Sequence, residues 1–327
     1  MEFSTLDDLL HHTFDLLLNR SFTNHATRSK DLGPTSEVIG ISLKLTNPHS
    51  RISRSETRGK PFSALGEFLW YFTGDNKLDF ISYYIQKYND ESSDKEAVYG
   101  GYGPRLFNHR GQYDQLNKVI EILKSKPTTR RAVIQIYDAM DMFGDHKEIP
   151  CTCTLQFFVR DEKVHLVAHM RSNDVFLGLP HDIFSFTMIQ EVVAKELNLG
   201  VGTYTHLVGS LHLYKNHKSQ VKNYINEGYQ STEIYMPEMP ADSPLKLIKQ
   251  LLDIESDIRN ETDVKNKIEK LPDYWADLAR ILEIHTFFKL KKRATNEQKK
   301  SEYLTKIIEV RDQFQHEEFK NYINTRL

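Results

Sequence analysis

The chain has 327 residues, 27% charged and 39% hydrophobic, with 45 acidic against 43 basic side chains and a formal net charge of −2. That length holds one large core or a domain with an appendage, and the balanced charge excludes a generally basic nucleic-acid coat and a disordered acidic chain. Apolar runs such as Phe68 to Phe72 fall far short of the roughly 20 residues needed to cross a bilayer, and Met1 to Asp8 lacks the positive flank of a secretory signal, so a soluble, cytoplasmic protein with no membrane partner is expected.

In chain order, residues 5 to 19 carry Leu6, Leu9, Leu10, Phe14, Leu17 and Leu18 at helical spacing. After a polar stretch, Ile39, Ile41, Leu43 and Leu45 alternate as a half-buried strand that stops at Asn47-Pro48. Phe62 to Phe72 reads as a buried helix with Glu67 inside it and an end at Gly74-Asp75, and further helices are expected over 78–88 and 113–125. The middle turns β-rich. Strands are predicted over 132–137, 154–160, 163–170 and 203–213, with Arg160-Asp161-Glu162-Lys163 as a hairpin turn. Between the last two strands, Ile183 to Leu197 forms a strongly apolar helix. The fold class is α+β, a mixed sheet with packed helices. After Pro240 the composition shifts to Lys, Glu, Asp, Ile and Leu at helical spacing, which divides the chain into a catalytic unit over 1–240 and a helical C-terminal extension over 241–327. The basic run Lys289 to Arg293 reads as a solvated helix end, and no nucleic-acid partner is expected.

Three polar blocks lie at element ends: Pro150-Cys151-Thr152-Cys153, Arg171-Ser172-Asn173-Asp174 and Pro180-His181-Asp182. A cysteine attacks only as thiolate and needs a neighbouring cation for that. Arg130, Arg131 and Arg171 are three guanidiniums able to converge on a phosphate and favour a thiolate. Spacing alone leaves Cys151 open between nucleophile and buried structural thiol. Cys151 and Cys153 stand too close along the chain for an unstrained disulfide, and two cysteines cannot build a cysteine metal site. Glu67 is costly to bury unless paired or used as a proton shuttle. His212 and Tyr214 share one strand face, which suits a sugar hydroxyl or a satisfied core pair.

Taken together, Phe62-Ser63-Ala64-Leu65-Gly66-Glu67-Phe68-Leu69-Trp70-Tyr71, Val98-Tyr99-Gly100, Arg130-Arg131, Pro150-Cys151, the run Arg171 to Pro180 and His212-Leu213-Tyr214-Lys215-Asn216-His217 resemble thymidylate synthase and its relatives that modify C5 of pyrimidine nucleotides. The resemblance covers residues 5 to 225. It implies a thymidylate-synthase-like fold and a homodimer using 5,10-methylenetetrahydrofolate on a pyrimidine nucleoside monophosphate. Cys151 would add to C6 of the ring, Glu67 would relay protons through water, and Tyr99 would assist proton removal at C5. Arg171 and Ser172 would hold the phosphate, Arg130 and Arg131 would reach that of the neighbouring subunit, and Arg28 is a further phosphate candidate. His212 and Tyr214 would hold the sugar, while Asp174 and Gly178 would line the folate site.

Two departures bear on the reaction. Where thymidylate synthases usually carry an asparagine facing the base, this chain has Asp182, as the similar cytidylate hydroxymethylases do. An ionised carboxylate only accepts hydrogen bonds, which suits the amino group of cytosine, with N3 protonated, and opposes the O4 of uracil. Asp182 as a cap of a helix starting at Ile183 is the structural alternative. In addition, the tryptophan-bearing stretch before Val98 reads Tyr88-Asn89-Asp90-Glu91-Ser92-Ser93, and the tail differs, so looser closure would let water reach the transferred methylene. The expectation is a hydroxymethyltransferase acting on CMP or dCMP. Its rivals are a thymidylate synthase methylating dUMP and a non-catalytic nucleotide- or partner-binding protein.

Overall fold

The protein is described by a computed structural model covering residues 1–23, 33–59, 61–324 and 327. Arg28 lies outside the described residues. The order is β1 (Glu2–Phe3), α1 (Leu6–Leu18), β2 (Thr35–Leu45), α2 (Pro61–Phe72), α3 (Leu78–Tyr84), α4 (Tyr88–Glu91), α5 (Tyr102–Phe107), α6 (Gln115–Ser125), β3 (Val133–Gln135), β4 (Thr152–Arg160), β5 (Lys163–Asp174), α7 (Gly178–Glu196) and β6 (Gly200–Tyr214). The chain continues as α8 (Lys218–Asn226), α9 (Pro244–Arg259), α10 (Lys265–Ile268), α11 (Asp273–Arg293), α12 (Glu297–Arg311) and α13 (Glu317–Asn324). Among the described residues no helix is long and apolar enough to cross a membrane.

The strands form one six-stranded mixed sheet, ordered β1-β2-β6-β5-β4-β3. The β4–β5 hairpin closes through Asp161 and Glu162, both at positive φ, the backbone that a two-residue turn matched to strand twist requires. Strands β5 and β6 are parallel, so the chain must cross over between them, and α7 is that crossover. It packs on both strands while α2 packs on it. Leu166, Ala168, Met170, Tyr204 and His206 turn inward and are fully buried. Gln156, Val167, His169 and Leu207 line a concavity on the opposite, partly open face.

The alternation changes phase near the C-terminal ends of β5 and β6. Buried positions run Ala168, Met170, then Asn173 on one strand, and His206, Val208, then Leu211 on its neighbour. Gly209 sits at the change, and a Cβ there would lie 2.8 Å from the Arg171 carbonyl oxygen, so only glycine permits this approach. The phase change sends Asn173 inward while leaving its neighbours Ser172 and Asp174 half-buried.

Several sequence expectations shift. Ile39 is 73% exposed although Ile41, Leu43 and Leu45 are buried; Gly40, at φ +68°, stands between them at the change of phase. The helix expected from Ile183 begins at Gly178, since Pro180 falls in its first turn, where a missing N–H costs nothing. The third strand is only Val133–Gln135, and the helix expected over 78–88 breaks after Tyr84 and resumes as α4. After residue 240 the chain is helical. Helices α9 and α11 pack against α2, and Trp275, Leu278 and Leu282 join the same apolar cluster as Phe68 and Phe184.

Candidate active site

Cys151 is half-buried immediately before β4, where the β4–β5 pairing ends at Thr152 and Met170, one residue short of Arg171. The Arg171 backbone N–H donates to the Cys151 carbonyl at 2.8 Å. Its guanidinium donates to the carbonyls of Pro150 at 2.9 Å and Ile149 at 3.1 Å, and lies 3.7 Å from the Cys151 Sγ. A cation held by two carbonyls beside a sulfur stabilises negative charge developing there. The two cysteines are thiols, not a disulfide. Burial pushes the Cys153 thiol up in spite of Arg171, which keeps it protonated at neutral pH. On the other side, Thr152 donates through both its N–H and its hydroxyl to the Tyr102 phenol oxygen, at 3.3 and 2.9 Å.

Above this strand end, α2 brings Glu67 and α7 brings Asp182. Glu67 is 7% exposed, and burial raises its carboxyl to about 7 against the opposing hydrogen bonds from Tyr88 and Tyr71. The Tyr88 hydroxyl donates to it at 2.5 Å. Asp182 is pushed well above the usual carboxylate range by burial first and by the charge of Glu67 second. Two carboxyls sharing one enclosed space do not both ionise readily, so the pair can hold a proton near neutral pH. Tyr102 feels the charges of both Asp182 and Cys151, which links the carboxyl pair to Cys151. Asp182 does not cap α7: that helix starts at Gly178 with Leu177 before it, and the Asp182 side chain instead accepts from Asn173 Nδ2 at 2.7 Å.

A third group lies at the ends of β5 and β6. Asp174 pairs in register with His212, and Ser172 with Ser210, so these side chains share a face. The His212 and Tyr214 rings meet edge to face at 5.1 Å, which puts both on that face too. Asp174 Oδ1 accepts from the N–H groups of Phe176 and Leu177 at 2.8 and 3.1 Å. Its Oδ2 is shielded from solvent with no hydrogen-bond partner among the described residues, an acceptor suited to a ligand's N–H groups. Gly178 faces Asn173 and Asp182, with a hypothetical Cβ 2.8 Å from Asn173 Nδ2.

Other expected residues have different partners in this chain. Arg130 and Arg131 are exposed ahead of β3; the Arg130 carbonyl accepts from Gln156 Nε2 at 3.0 Å, and Gln156 stands five residues along the chain, about 17 Å of strand, from Cys151. The three guanidiniums therefore do not converge within one chain. Tyr99 is 38% exposed, stacks on His146 and donates its hydroxyl to Asp141 at 2.9 Å, where Arg105 also binds both carboxylate oxygens. Sequence reasoning gave no individual role to Tyr88, Tyr102, Asn173, Tyr204 and His206. Tyr204 and His206 had a signal: polar residues at inward positions of an alternating strand.

A family model described as "Thymidylate synthase" matches residues 26–257. The chain is 34% identical over 166 residues to a thymidylate synthase of Buchnera aphidicola subsp. Baizongia pistaciae (strain Bp). That stretch is 49% of this chain and 62% of the relative, so the chain spans less than two thirds of that relative's length.

Proposed function

The chain belongs to the thymidylate synthase family, and from that premise we propose that it transfers a one-carbon unit to C5 of a cytidine monophosphate, CMP or dCMP, giving the 5-hydroxymethyl nucleotide. The observation that carries the reading is Asp182 itself, held by Asn173 beside Glu67 rather than capping a helix. A carboxylate there accepts from the N4 amino group of cytosine and shares a proton with N3. That proton draws electrons from C6 and helps Cys151 attack.

Cys151 Sγ adds to C6, with Arg171 stabilising the sulfur's charge beforehand, and C5 becomes nucleophilic. Bound 5,10-methylenetetrahydrofolate supplies the electrophilic one-carbon unit. Asp174, whose Oδ2 has no hydrogen-bond partner among the described residues, could accept from the N–H edge of a pterin, so this chain's residues are compatible with that cofactor. Glu67, able to exchange its proton near pH 7, moves protons through water at the edge of the base. Ser172 and Arg171 bind the phosphate, and His212 and Tyr214 the sugar. Tyr88, in the stretch that departs from the family pattern, sets a hydroxyl on Glu67 and makes that wall of the cleft polar, which supports water addition over hydride transfer at the methylene.

The enzyme works as a homodimer in this reading. The partly open face of the sheet is available for a second copy, and Arg130 and Arg131, too far from their own Cys151, serve the partner's phosphate site.

One observation favours a second reading, methylation of dUMP. Burial and Glu67 push Asp182 toward its neutral form, which carries one donor and one acceptor and can match uracil as an asparagine does. Mass spectrometry of the products formed from CMP, dCMP, UMP and dUMP with the folate decides between the two. A cytidylate gaining CH2O is the expected result, and a uridylate gaining CH2 as the sole product overturns it. Asp182→Asn is expected to move preference from cytidylate toward uridylate.

A further inference from the structure

We propose that Asn173 is a specificity-determining positioning residue: locked in one amide orientation by His206 and Tyr204, it donates to Asp182 and holds that carboxyl as an acceptor, favouring a cytosine edge over a uracil edge. The inference rests on the pyrimidine reading above and names what tips Asp182 between its two forms.

A directional relay of hydrogen bonds runs from the sheet core to the site. Tyr204 and His206, both 0% exposed on β6, are joined by a 2.6 Å hydrogen bond between the phenol oxygen and Nδ1. His206 Nε2 lies 3.0 Å from Asn173 Oδ1 on β5, and Asn173 Nδ2 donates to Asp182 Oδ2 at 2.7 Å on α7. Burial lowers His206 to about 3, so the imidazole is neutral and has one N–H and one lone pair. An amide oxygen only accepts, so the N–H must sit on Nε2 and the lone pair on Nδ1, which takes the Tyr204 proton. Each member therefore donates toward Asp182. The far oxygen of the carboxyl is left for the base.

Flipping the amide would set its oxygen against the carboxylate, and its NH2 would meet the imidazole N–H unless His206 changed tautomer and turned its N–H onto the Tyr204 phenol. The space is also specific to the pair. A Cβ at Gly178 would come within 2.8 Å of Asn173 Nδ2 and 3.4 Å of Asp182 Oδ2, so glycine at that position lets the amide reach the carboxyl. A hydrogen-bond donor stabilises the ionised form of an acid, and the Asn173 bond opposes the upward push of burial and Glu67 on Asp182. Without it nothing from Asn173 opposes that push, the carboxyl moves further toward a neutral group with a donor and an acceptor, and the distinction between the two bases weakens.

The test is calorimetric binding of CMP, dCMP, UMP and dUMP, without cofactor, to wild type, Asn173→Asp and Tyr204→Phe, with thermal melts of each. Asn173→Asp keeps an acceptor for His206 and sets another carboxyl against Asp182 in place of the amide donor, which pushes Asp182 further from its ionised form. Tyr204→Phe removes one buried hydroxyl remote from any nucleotide and frees the His206 tautomer. Wild type is expected to prefer the cytidylate, the preference to fall about tenfold in Asn173→Asp, and to fall by a smaller factor in Tyr204→Phe. A purely structural role would weaken all nucleotides alike and leave the ratio fixed; ratios within about twofold of wild type in folded variants overturn the inference. Should Asn173→Asp not melt cooperatively, the Tyr204→Phe ratio alone decides. A wild type with no cytidylate preference instead overturns the base reading, and this proposal with it; the wild-type ratio tells the two failures apart.

Discussion

Glu67 shows what one residue's surroundings do to its chemistry. An exposed glutamate is ionised at neutral pH, whereas this one, carried on α2, buried and held by Tyr88, changes protonation near pH 7. Glu67→Gln keeps the shape and loses the titration. The expected outcome is a fall in kcat of about 100- to 10,000-fold with nucleotide affinity retained, and loss of the rate inflection near pH 7. Tyr88→Phe should act differently. The phenol donates to the charged form and so lowers the carboxyl; removing it should move the inflection to higher pH, read from the pH profile of kcat. An unmoved inflection would detach Tyr88 from the relay.

Elements are held in place around the site by a second buried carboxylate. Glu191 on α7 accepts from Arg51 at 2.5 Å, from the Met239 N–H at 2.7 Å and pairs with His49 at 2.9 Å. It thus joins the loop before α2, the crossover helix and the connection into α9. Arg51 first, then His49 and the Met239 N–H, hold Glu191 down to about 2 against burial. Its folded pKa lies below its unfolded value near 4.5, so its stabilisation is complete above that pH and is lost as pH falls toward 2. Wild type should therefore lose stability more steeply than Glu191→Gln between those limits in acid denaturation followed by circular dichroism. Glu191→Ala, which strands the fully buried Arg51, should cost about 3–5 kcal/mol in denaturant unfolding.

On the scale of the whole molecule, the separation of Arg130 and Arg131 from Cys151 demands a partner if the arginines are to bind phosphate. The expectation is checked by mixing two inactive proteins, Cys151→Ser and a double Arg130→Ala, Arg131→Ala variant, after unfolding and refolding together. In a heterodimer one site regains both an intact Cys151 and intact arginines, so about a quarter of wild-type activity should return from random pairing. No recovery, with heterodimers present by native mass spectrometry, would mean that the arginines act elsewhere. The same mixed sheet that separates these residues converges the others. Strand β4 begins beside Cys151, β5 and β6 end beside Asp174 and His212, and the crossover α7 must pass over that edge with Asp182 on it.

The amino-acid sequence by itself determined the α+β class, the two-residue hairpin at Asp161 and Glu162, and the blocks around Glu67, Cys151, Arg171 and His212. These are local properties: periodicity, turn chemistry and contiguous motifs are written along the chain. Tertiary structure alone decided which polar residues meet. Nothing local links Tyr88 to Glu67, Thr152 to Tyr102, or Tyr204 and His206 through Asn173 to Asp182. Those partnerships depend on register, on the phase change at Gly209 and on how deeply each carboxyl is buried. Burial is also what shifts Glu67 and Asp182 from ordinary ionised acids toward groups that keep a proton, because the cost of charge is set by the medium around it rather than by its neighbours in sequence.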